Sequence, residues 1–258
     1  ASYKIMLQAG CGIVPETRVI LNAWAPGLSV AELCRRLLEQ GAFPNLASRT
    51  MQNLVKEGFA PRYLVDGARP ALALKALSPV ISNSDWTQLA YLYTARAVRL
   101  LGDYVREIYW PRYSAGNNTM TIVESREFVR RVSHQGGTDK PWSESSIVRN
   151  GRYLLKTLSD FGLVEDKRSA ERRILPYSIR PTTLAVLAYD LHLRGLGDNA
   201  VVAHEDWGLF GLNEVDVREE LKTLSRRDLL IIQSAGETVR ISWRYSTWEE
   251  LLNVPNQS

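Results

Sequence analysis

The sequence has few cysteines and histidines, two and three among its 258 residues. Cys11 and Cys34 lie far apart, and Cys34 sits among leucines in a segment with helical spacing. We therefore expect both thiols to be buried and reduced, as is usual in the cytoplasm. The three histidines are widely separated and no cysteine pair accompanies them, so no metal site is predicted.

Long apolar runs are absent as well. No stretch reaches the roughly 18 consecutive apolar residues that a membrane-spanning helix needs, and the segment 184–193 is interrupted by Asp190 and His192. The N-terminus shows no basic segment leading into a long apolar core, so no secretory signal is expected. These absences predict a cytoplasmic protein that does not contact a membrane.

The motifs of common catalytic sites are also missing. There is no G-x-x-x-x-G-K-[ST] phosphate loop, no G-x-G-x-x-G after a strand and no G-x-S-x-G nucleophile elbow. One segment is similar to a catalytic motif. Asp160 is followed by Glu165, Asp166 and Lys167, and this pattern imitates the carboxylates and lysine of magnesium-dependent nucleases. We predict a protein without catalysis, metal or small-molecule cofactor, with a metal-dependent nuclease as an alternative.

What the sequence does contain is a series of amphipathic helices. Each begins near a capping residue and carries apolar residues three and four positions apart. Ser29 with Glu32, and Thr121 with Glu124, have the spacing of capping boxes. The predicted helices cover about 30–40, 47–57, 86–110, 121–132 and 143–161, with a further one after Asn213.

Two of these helices are followed by segments with the pattern of β-hairpins. The first hairpin is predicted from 163–165 and 173–179, and the second from 229–233 and 238–243. Helix, turn, helix and hairpin in that order is a winged-helix arrangement. We therefore predict a mainly α, multi-helical fold with small winged-helix β-hairpins.

A turn-rich stretch, 114–118, predicts a hinge or subdomain boundary. The expected organisation is an N-terminal helical part over 1–80, a central helix plus winged-helix-like unit over 81–180, and a C-terminal winged-helix-like unit over 181–258. Within the first part, the helix pair joined by 41–45 resembles a helix-turn-helix, although short helix pairs occur in any helical protein.

The helix after Ser143 has a polar and basic face opposite its apolar stripe. Spacings of three and four residues place Arg149, Arg152 and Lys156 on that face. Arginine can bond guanine edges, asparagine can read adenine, and serine and lysine can hold phosphates. The predicted DNA-contacting residues on the helix and the following turn are Ser145, Ser146, Arg149, Asn150, Arg152, Lys156, Lys167, Arg168, Arg172 and Arg173.

The charge of this segment supports the prediction only modestly. Residues 143–173 carry seven cations and five acids, a net charge of +2, within a chain of net charge +4. A solvated helix face with a soluble loop remains the alternative. In the helix after Asn213, cations alternate with acids, so that helix is predicted to be a structural or interaction face.

Several segments resemble the BrxA family of the bacterial BREX (bacteriophage exclusion) systems. The resemblance is strongest over about the last 110 residues, in 146–164, 207–212 and 231–243, while the first 80 residues match loosely. It implies a defence protein without known enzymatic chemistry that works beside a methyltransferase, an ATPase and other BREX proteins. It supplies no functional residues to transfer to this chain.

Two functions follow from these observations. The first is a non-catalytic component that binds double-stranded DNA, mainly through phosphates and with little sequence preference. The second is a protein-binding adaptor that organises the BREX complex. RNA binding by the helical part is a further alternative.

Overall fold

The computed structural model describes residues 2–236 and 238–252 and is mainly helical, as predicted. In chain order the α-helices are α1 (Val14–Ala23), α2 (Val30–Glu39), α3 (Ser48–Asn53), α4 (Ala60–Tyr63), α5 (Arg69–Leu77), α6 (Asn83–Ala97), α7 (Arg99–Tyr104), α8 (Trp110–Ser114), α9 (Ile122–Val132), α10 (Glu144–Asp160), α11 (Pro181–Leu193), α12 (Asp198–Val202), α13 (Glu214–Ser225) and α14 (Trp248–Leu252). The strands are β1 (Thr119–Thr121), β2 (Glu171–Arg173), β3 (Leu230–Ala235) and β4 (Thr238–Trp243). Short 3₁₀ segments are Leu7–Ala9, Asp66–Ala68 and Glu205–Phe210, and short π segments are Leu54–Phe59, Val105–Tyr109 and Ser133–Gly137.

The chain divides into two compact units rather than the three predicted segments 1–80, 81–180 and 181–258. One unit contains residues 2–75 and 93–177, and the other contains 76–92 and the described residues from 178 onward. In the first unit, the backbone N–H of Gly12 donates to Asp160 (2.9 Å). The hydroxyl of Tyr3 donates to Asp103 (2.7 Å). These contacts between distant parts of the sequence join the N-terminal helices to the central ones. Contacts of this kind cannot be predicted from a local sequence pattern.

The turn-rich stretch 114–118 is therefore a turn inside the first unit and not a boundary between units. It joins α8 to β1. Gly116 takes a positive φ of 73°, which glycine adopts without strain.

The predicted helix over 86–110 differs from the structure at both ends and in the middle. Ser82 accepts the N–H of Asp85 (3.1 Å), which caps its start as expected. The helix is interrupted at Val98, whose φ of −103° and ψ of 86° are not helical. Helical structure then continues through Pro111 to Ser114. Pro111 stands in the first turn of α8, directly after the π segment Val105–Tyr109, and a backbone N–H is not required at this position.

The helices α9 and α10 make the most extensive helix–helix contact in the described part of the first unit. Both capping residues perform as predicted, since Thr121 accepts the N–H of Glu124 and Ser143 accepts the N–H of Ser146. At the crossing, a Cβ atom on Gly151 would lie 2.8 Å from Cγ and 3.1 Å from the backbone nitrogen of Arg126. Only a glycine therefore permits this approach of the two helices.

Part of the first predicted hairpin is present, and β1, a strand that was not predicted, pairs with it. Val164 bridges Ile174, and the N–H of Glu165 donates to the carbonyl of Arg173 (2.8 Å). The pairing ends at Leu175 instead of running to 179. On its other side, β2 pairs antiparallel with β1 in the register Thr119–Arg173, Met120–Arg172 and Thr121–Glu171. The strand β1 is too short to show an alternating pattern in the sequence.

The second unit is built around a nearly all-apolar helix, α11, and the predicted C-terminal hairpin. The residues of α11 from Thr183 to Leu191 are buried. Trp207 is 1% exposed, and its indole N–H donates to the carbonyl of Val201 (2.7 Å). The segment 76–92 belongs to this unit because Gln88 exchanges hydrogen bonds with the backbone of Ser178 (2.9 Å) and Arg180 (2.7 Å).

The two cysteines are free and buried, as predicted. Burial raises the pKa of the Cys11 thiol to about 11. Among the described residues, none of the helices has the length and apolar character to cross a membrane.

Candidate nucleic-acid interface

The candidate interface is centred on α10, whose length and ends follow from its own sequence. Ser143 caps its first turn, and Gly162, with φ of 76°, ends it. The apolar stripe, including Leu154 and Leu158, is buried. The opposite side therefore faces solvent, and Arg149 and Arg152 are exposed on it.

Five of the predicted cations are exposed and lack a carboxylate partner among residues 2–236 and 238–252. They lie on α10 and around the turn between Val164 and Ile174. These residues are Arg149, Arg152, Lys167, Arg168 and Arg173. Because no internal acid holds these cations, they are available to an external anion such as a phosphate.

The hydroxyls of Ser145 and Ser146 stand at the N-terminus of α10, beside its cap. The hydroxyl of Ser143 lies 3.1 Å from that of Ser145 and donates to that of Ser146 (3.0 Å). Ser145 is exposed and Ser146 is half-buried. Serines at the positive end of a helix dipole suit phosphate oxygens, so both remain predicted contacts.

Two predicted contact residues are buried, which corrects the sequence-based expectation. Asn150 is 1% exposed, and its amide donates to the carbonyl of Ser146 (2.9 Å). Arg172 is 9% exposed, and its guanidinium donates to the carbonyl of Leu155 (3.4 Å). Asn150 is turned away from solvent on α10, and Arg172 points inward from β2. Neither side chain can reach a ligand in this conformation.

Lys156 is on the predicted face but is held by two acids. Its ammonium lies 2.7 Å from Asp160 and 3.3 Å from Asp166. The hydrogen bond to Asp160 is the main cause of a raised pKa of Lys156. Lys156 therefore contributes less positive charge to the surface than the sequence suggests.

One ion pair that the sequence did not reveal makes the start of α10 less acidic. Arg130, at the end of α9, lies 2.6 Å from Glu144 in the first turn of α10. This pair neutralises the acid nearest to the two serines. The sequence shows only that the last turn of α9 contains a cation. This does not indicate which other helix the cation faces.

Two of the acids that imitated a nuclease form ion pairs with one lysine. Asp160 and Asp166 are bridged by the ammonium of Lys156, which lies where a cation would have to bind. Asp160 also accepts the backbone N–H of Gly12. In the described part of the chain, no cluster of three His, Cys, Asp or Glu side chains could hold a metal ion.

The fold and this surface define a class: mainly helical proteins with two small antiparallel sheets and an exposed basic helix followed by a basic turn. The BrxA family model matches residues 1–190. The chain belongs to the BrxA family, and is thereby a component of a BREX phage-defence system. The comparison with curated proteins returns no match.

The match extends over a different part of the chain from the segments that carried the resemblance most strongly. The family model covers the first 80 residues and includes all of α10 and the turn that follows. It ends within α11. The segments 207–212 and 231–243, which contributed to the resemblance, therefore lie beyond the match.

Proposed function

We propose that this protein is a non-catalytic component of a BREX system that binds double-stranded DNA through α10 and the turn before β2. The single observation that supports this proposal most is the set of five exposed cations without carboxylate partners on that surface. Glu144 is paired with Arg130, which lies outside the segment 143–173, and Asp160 is paired with Lys156, whereas Glu165 and Glu171 have no ion-pair partner in the described part of the chain. Because Arg130 adds one positive charge, the surface is somewhat more positive than the net charge of the segment indicates.

The order of elements around the surface supports the same proposal. The helices α7 and α8, strand β1, helices α9 and α10, residues 163–165, a turn and β2 follow one another as in a winged-helix unit. In helix-turn-helix proteins, the second of the two helices enters the major groove of DNA. In this protein, α10 is the second helix of the pair α9–α10. Arg149 and Arg152 would then face base edges. Lys167 and Arg168 would meet phosphates beside the groove.

The burial of Asn150 supports weak sequence preference. Asparagine reads adenine through its side-chain amide, and in this protein that amide is engaged with the carbonyl of Ser146. Arg149 and Arg152 are the remaining groups on the predicted face of α10 that can bond a base edge bidentately. Most of the interaction is then with the phosphate backbone, which carries little sequence information.

Membership of the BrxA family suggests association with other BREX proteins. The rival proposal is therefore an adaptor whose partners are proteins alone. The two proposals differ in their response to salt, and this difference gives a direct test.

We expect binding of the purified chain to duplex DNA to weaken steeply as salt rises. Each phosphate neutralised by a cation contributes a slope of about −0.9 to the plot of log affinity against log salt concentration. Contacts from all five cations therefore give a slope of about −4 to −5. The measurement is fluorescence anisotropy with duplex DNA, duplex RNA and single strands at several salt concentrations.

Duplex DNA is expected to bind best, because the deep and narrow major groove of duplex RNA does not admit a helix. No binding at micromolar protein in low salt, or a slope near zero, would contradict the proposal and favour the adaptor. Equal binding of duplex RNA would contradict the placement of α10 in the major groove.

The absence of catalysis is the second element of the proposal, and it is tested at Asp160. We expect Asp160→Ala to lower the free energy of unfolding by about 1–3 kcal/mol, because it leaves the N–H of Gly12 without its acceptor. Asp160→Asn keeps an acceptor and should cost less. Magnesium should change neither the melting temperature of the wild type nor the integrity of supercoiled DNA.

A structural role and a metal-binding role give opposite results in this experiment. Stabilisation of the wild type by magnesium that is lost in Asp160→Asn would show a metal site. Magnesium-dependent nicking that is lost on changing Glu165 or Lys167 would overturn the non-catalytic proposal.

A further inference from the structure

The tip of the basic turn, residues 166–169, carries two of the five exposed cations without carboxylate partners, Lys167 and Arg168. Its backbone hydrogen bonds remain within the turn. The N–H of Lys167 donates to the carbonyl of Glu165 (3.0 Å), and the N–H of Ser169 donates to the carbonyl of Lys167 (2.9 Å). These bonds shape the turn, but they do not fix its position relative to α10.

The side chain of Asp166 joins the tip to the last two turns of α10. One oxygen of its carboxylate accepts the hydroxyl of Ser159 (3.0 Å) and lies 3.3 Å from the ammonium of Lys156. Because positions 156 and 159 are three residues apart, both groups project from one side of the helix and meet the same oxygen. Among the described residues, these are the hydrogen bonds and ion pairs that connect residues 166–169 to α10.

The two partners of the bond between Ser159 and Asp166 differ in exposure. Ser159 is 8% exposed, and in the described part of the chain its hydroxyl has no acceptor other than Asp166. The side chain of Asp166 is 76% exposed. The hydrogen bond from Ser159 is the main cause of a lowered pKa of Asp166, so the contact favours the ionised carboxylate.

An ionised acid at this position opposes DNA binding if only its charge is considered. It lies beside Lys167 and Arg168, on the surface proposed to bind phosphates, and a carboxylate repels a phosphate backbone. The contact with Ser159 gives this acid a second effect of opposite sign, because a held turn presents its cations in one place.

We propose that Ser159 and Asp166 are positioning residues for DNA binding. Their hydrogen bond holds the tip against α10, so that the two cations of the tip stay in a constant position relative to Arg149 and Arg152. A loop that must be ordered on binding costs free energy that a loop already ordered does not. This inference rests on the proposed function, since it assigns a role on the same surface.

The first test separates position from charge by removing one hydroxyl. Ser159→Ala changes no charge and leaves Asp166 in place, and the exposed ion pair with Lys156 contributes too little to hold the tip alone. We expect this variant to bind duplex DNA about 2- to 10-fold more weakly than the wild type, as for one or two side chains that must be ordered on binding. The salt slope should be unchanged, because every cation is retained. Fluorescence anisotropy titrations at several salt concentrations measure both quantities.

Two acids of the same turn provide the matched comparison. Asp166→Ala removes a negative charge and should still lower the affinity, because it releases the tip. Glu165→Ala removes a negative charge that has no ion-pair partner in the described part of the chain, and it should raise the affinity. Ser159→Ala combined with Asp166→Ala should lose no more affinity than Asp166→Ala alone, since both substitutions remove the same bond.

The second test requires no DNA. Trypsin cleaves after lysine and arginine, so the rate of cleavage after Lys167 and Arg168 reports how often the tip opens. We expect this rate to rise about 2- to 10-fold in Ser159→Ala and in Asp166→Ala, as for the loss of one hydrogen bond, and to be unchanged in Glu165→Ala. Circular dichroism melting should show that all variants are folded.

The outcomes distinguish this inference from the proposed function. If the wild type binds no DNA, both proposals fail together. If the wild type binds DNA with the expected salt slope but Ser159→Ala binds equally well, or Asp166→Ala binds more tightly than the wild type, the positioning role is refuted and the proposed function stands. Equal trypsin cleavage of the wild type and Ser159→Ala would refute the positioning role in the same way.

Discussion

Duplex DNA affinity is expected to fall by about 5- to 150-fold when Arg149 and Arg152 are both replaced by alanine. This range corresponds to the roughly 1–3 kcal/mol that a bidentate arginine–guanine contact contributes. Both guanidinium groups are exposed and have no carboxylate partner among the described residues, so their loss leaves no internal group unpaired. Folding should therefore be unchanged.

Salt dependence distinguishes the two ways in which these arginines can act. If they contact phosphates alone, affinity falls equally on every DNA sequence and the salt slope shrinks by about 1.8, or 0.9 for each lost contact. If either reads a base, the loss depends on sequence. Both results come from anisotropy titrations of one variant against two or more duplexes.

The matched control lies on α13 and its C-cap residue, which together carry three cations, Arg218, Lys222 and Arg226. Lys222 is 2.6 Å from Glu219, and acids surround the rest of this helix. The double variant Lys222→Ala with Arg226→Ala should bind DNA almost normally. If this control loses binding while the variant at Arg149 and Arg152 retains it, the DNA-binding surface belongs to the C-terminal unit and the assignment to α10 is wrong.

Replacing Gly151 with valine is expected to destabilise the first unit by about 1–3 kcal/mol. A Cβ atom at this position would lie 2.8 Å from Cγ, 3.1 Å from the backbone nitrogen and 3.2 Å from Cα of Arg126. The side chain of Arg126 can move, but its backbone is part of α9. The two helices would have to separate, which disturbs the packing that presents Arg149 and Arg152.

Whether a substitution at Gly151 raises or lowers the free energy of unfolding distinguishes the effect of packing from that of helix propensity. In an exposed helix, Gly→Ala stabilises by about 1 kcal/mol. At Gly151, contact with α9 should make even the alanine variant less stable than the wild type in urea denaturation. The neighbouring substitution Arg152→Ala is exposed and should change stability by less than about 0.5 kcal/mol. Stabilisation by Gly151→Ala would show that the two helices have room to adjust.

The ends of the functional helices could be predicted because they depend on neighbours in the chain. Thr121 with Glu124, and Ser143 with Ser146, are three residues apart, so each cap is complete within one turn. The positive φ at Gly162 ends α10 for an equally local reason. The C-terminal hairpin also followed from its sequence, since its two strands are separated by a short turn and β4 alternates buried and exposed residues.

The sequence by itself determined the mainly α fold, the position of α10 and the exposed arginines on it, because these follow from short-range periodicity and capping. Which of the polar residues remain available was decided by tertiary structure. Asn150 is buried on α10, and Arg172 is buried in β2. Lys156 is bound by Asp160 and Asp166, and Glu144 by Arg130. Helical spacing fixes the direction of a side chain from its own helix, but the element that meets it there comes from distant parts of the chain.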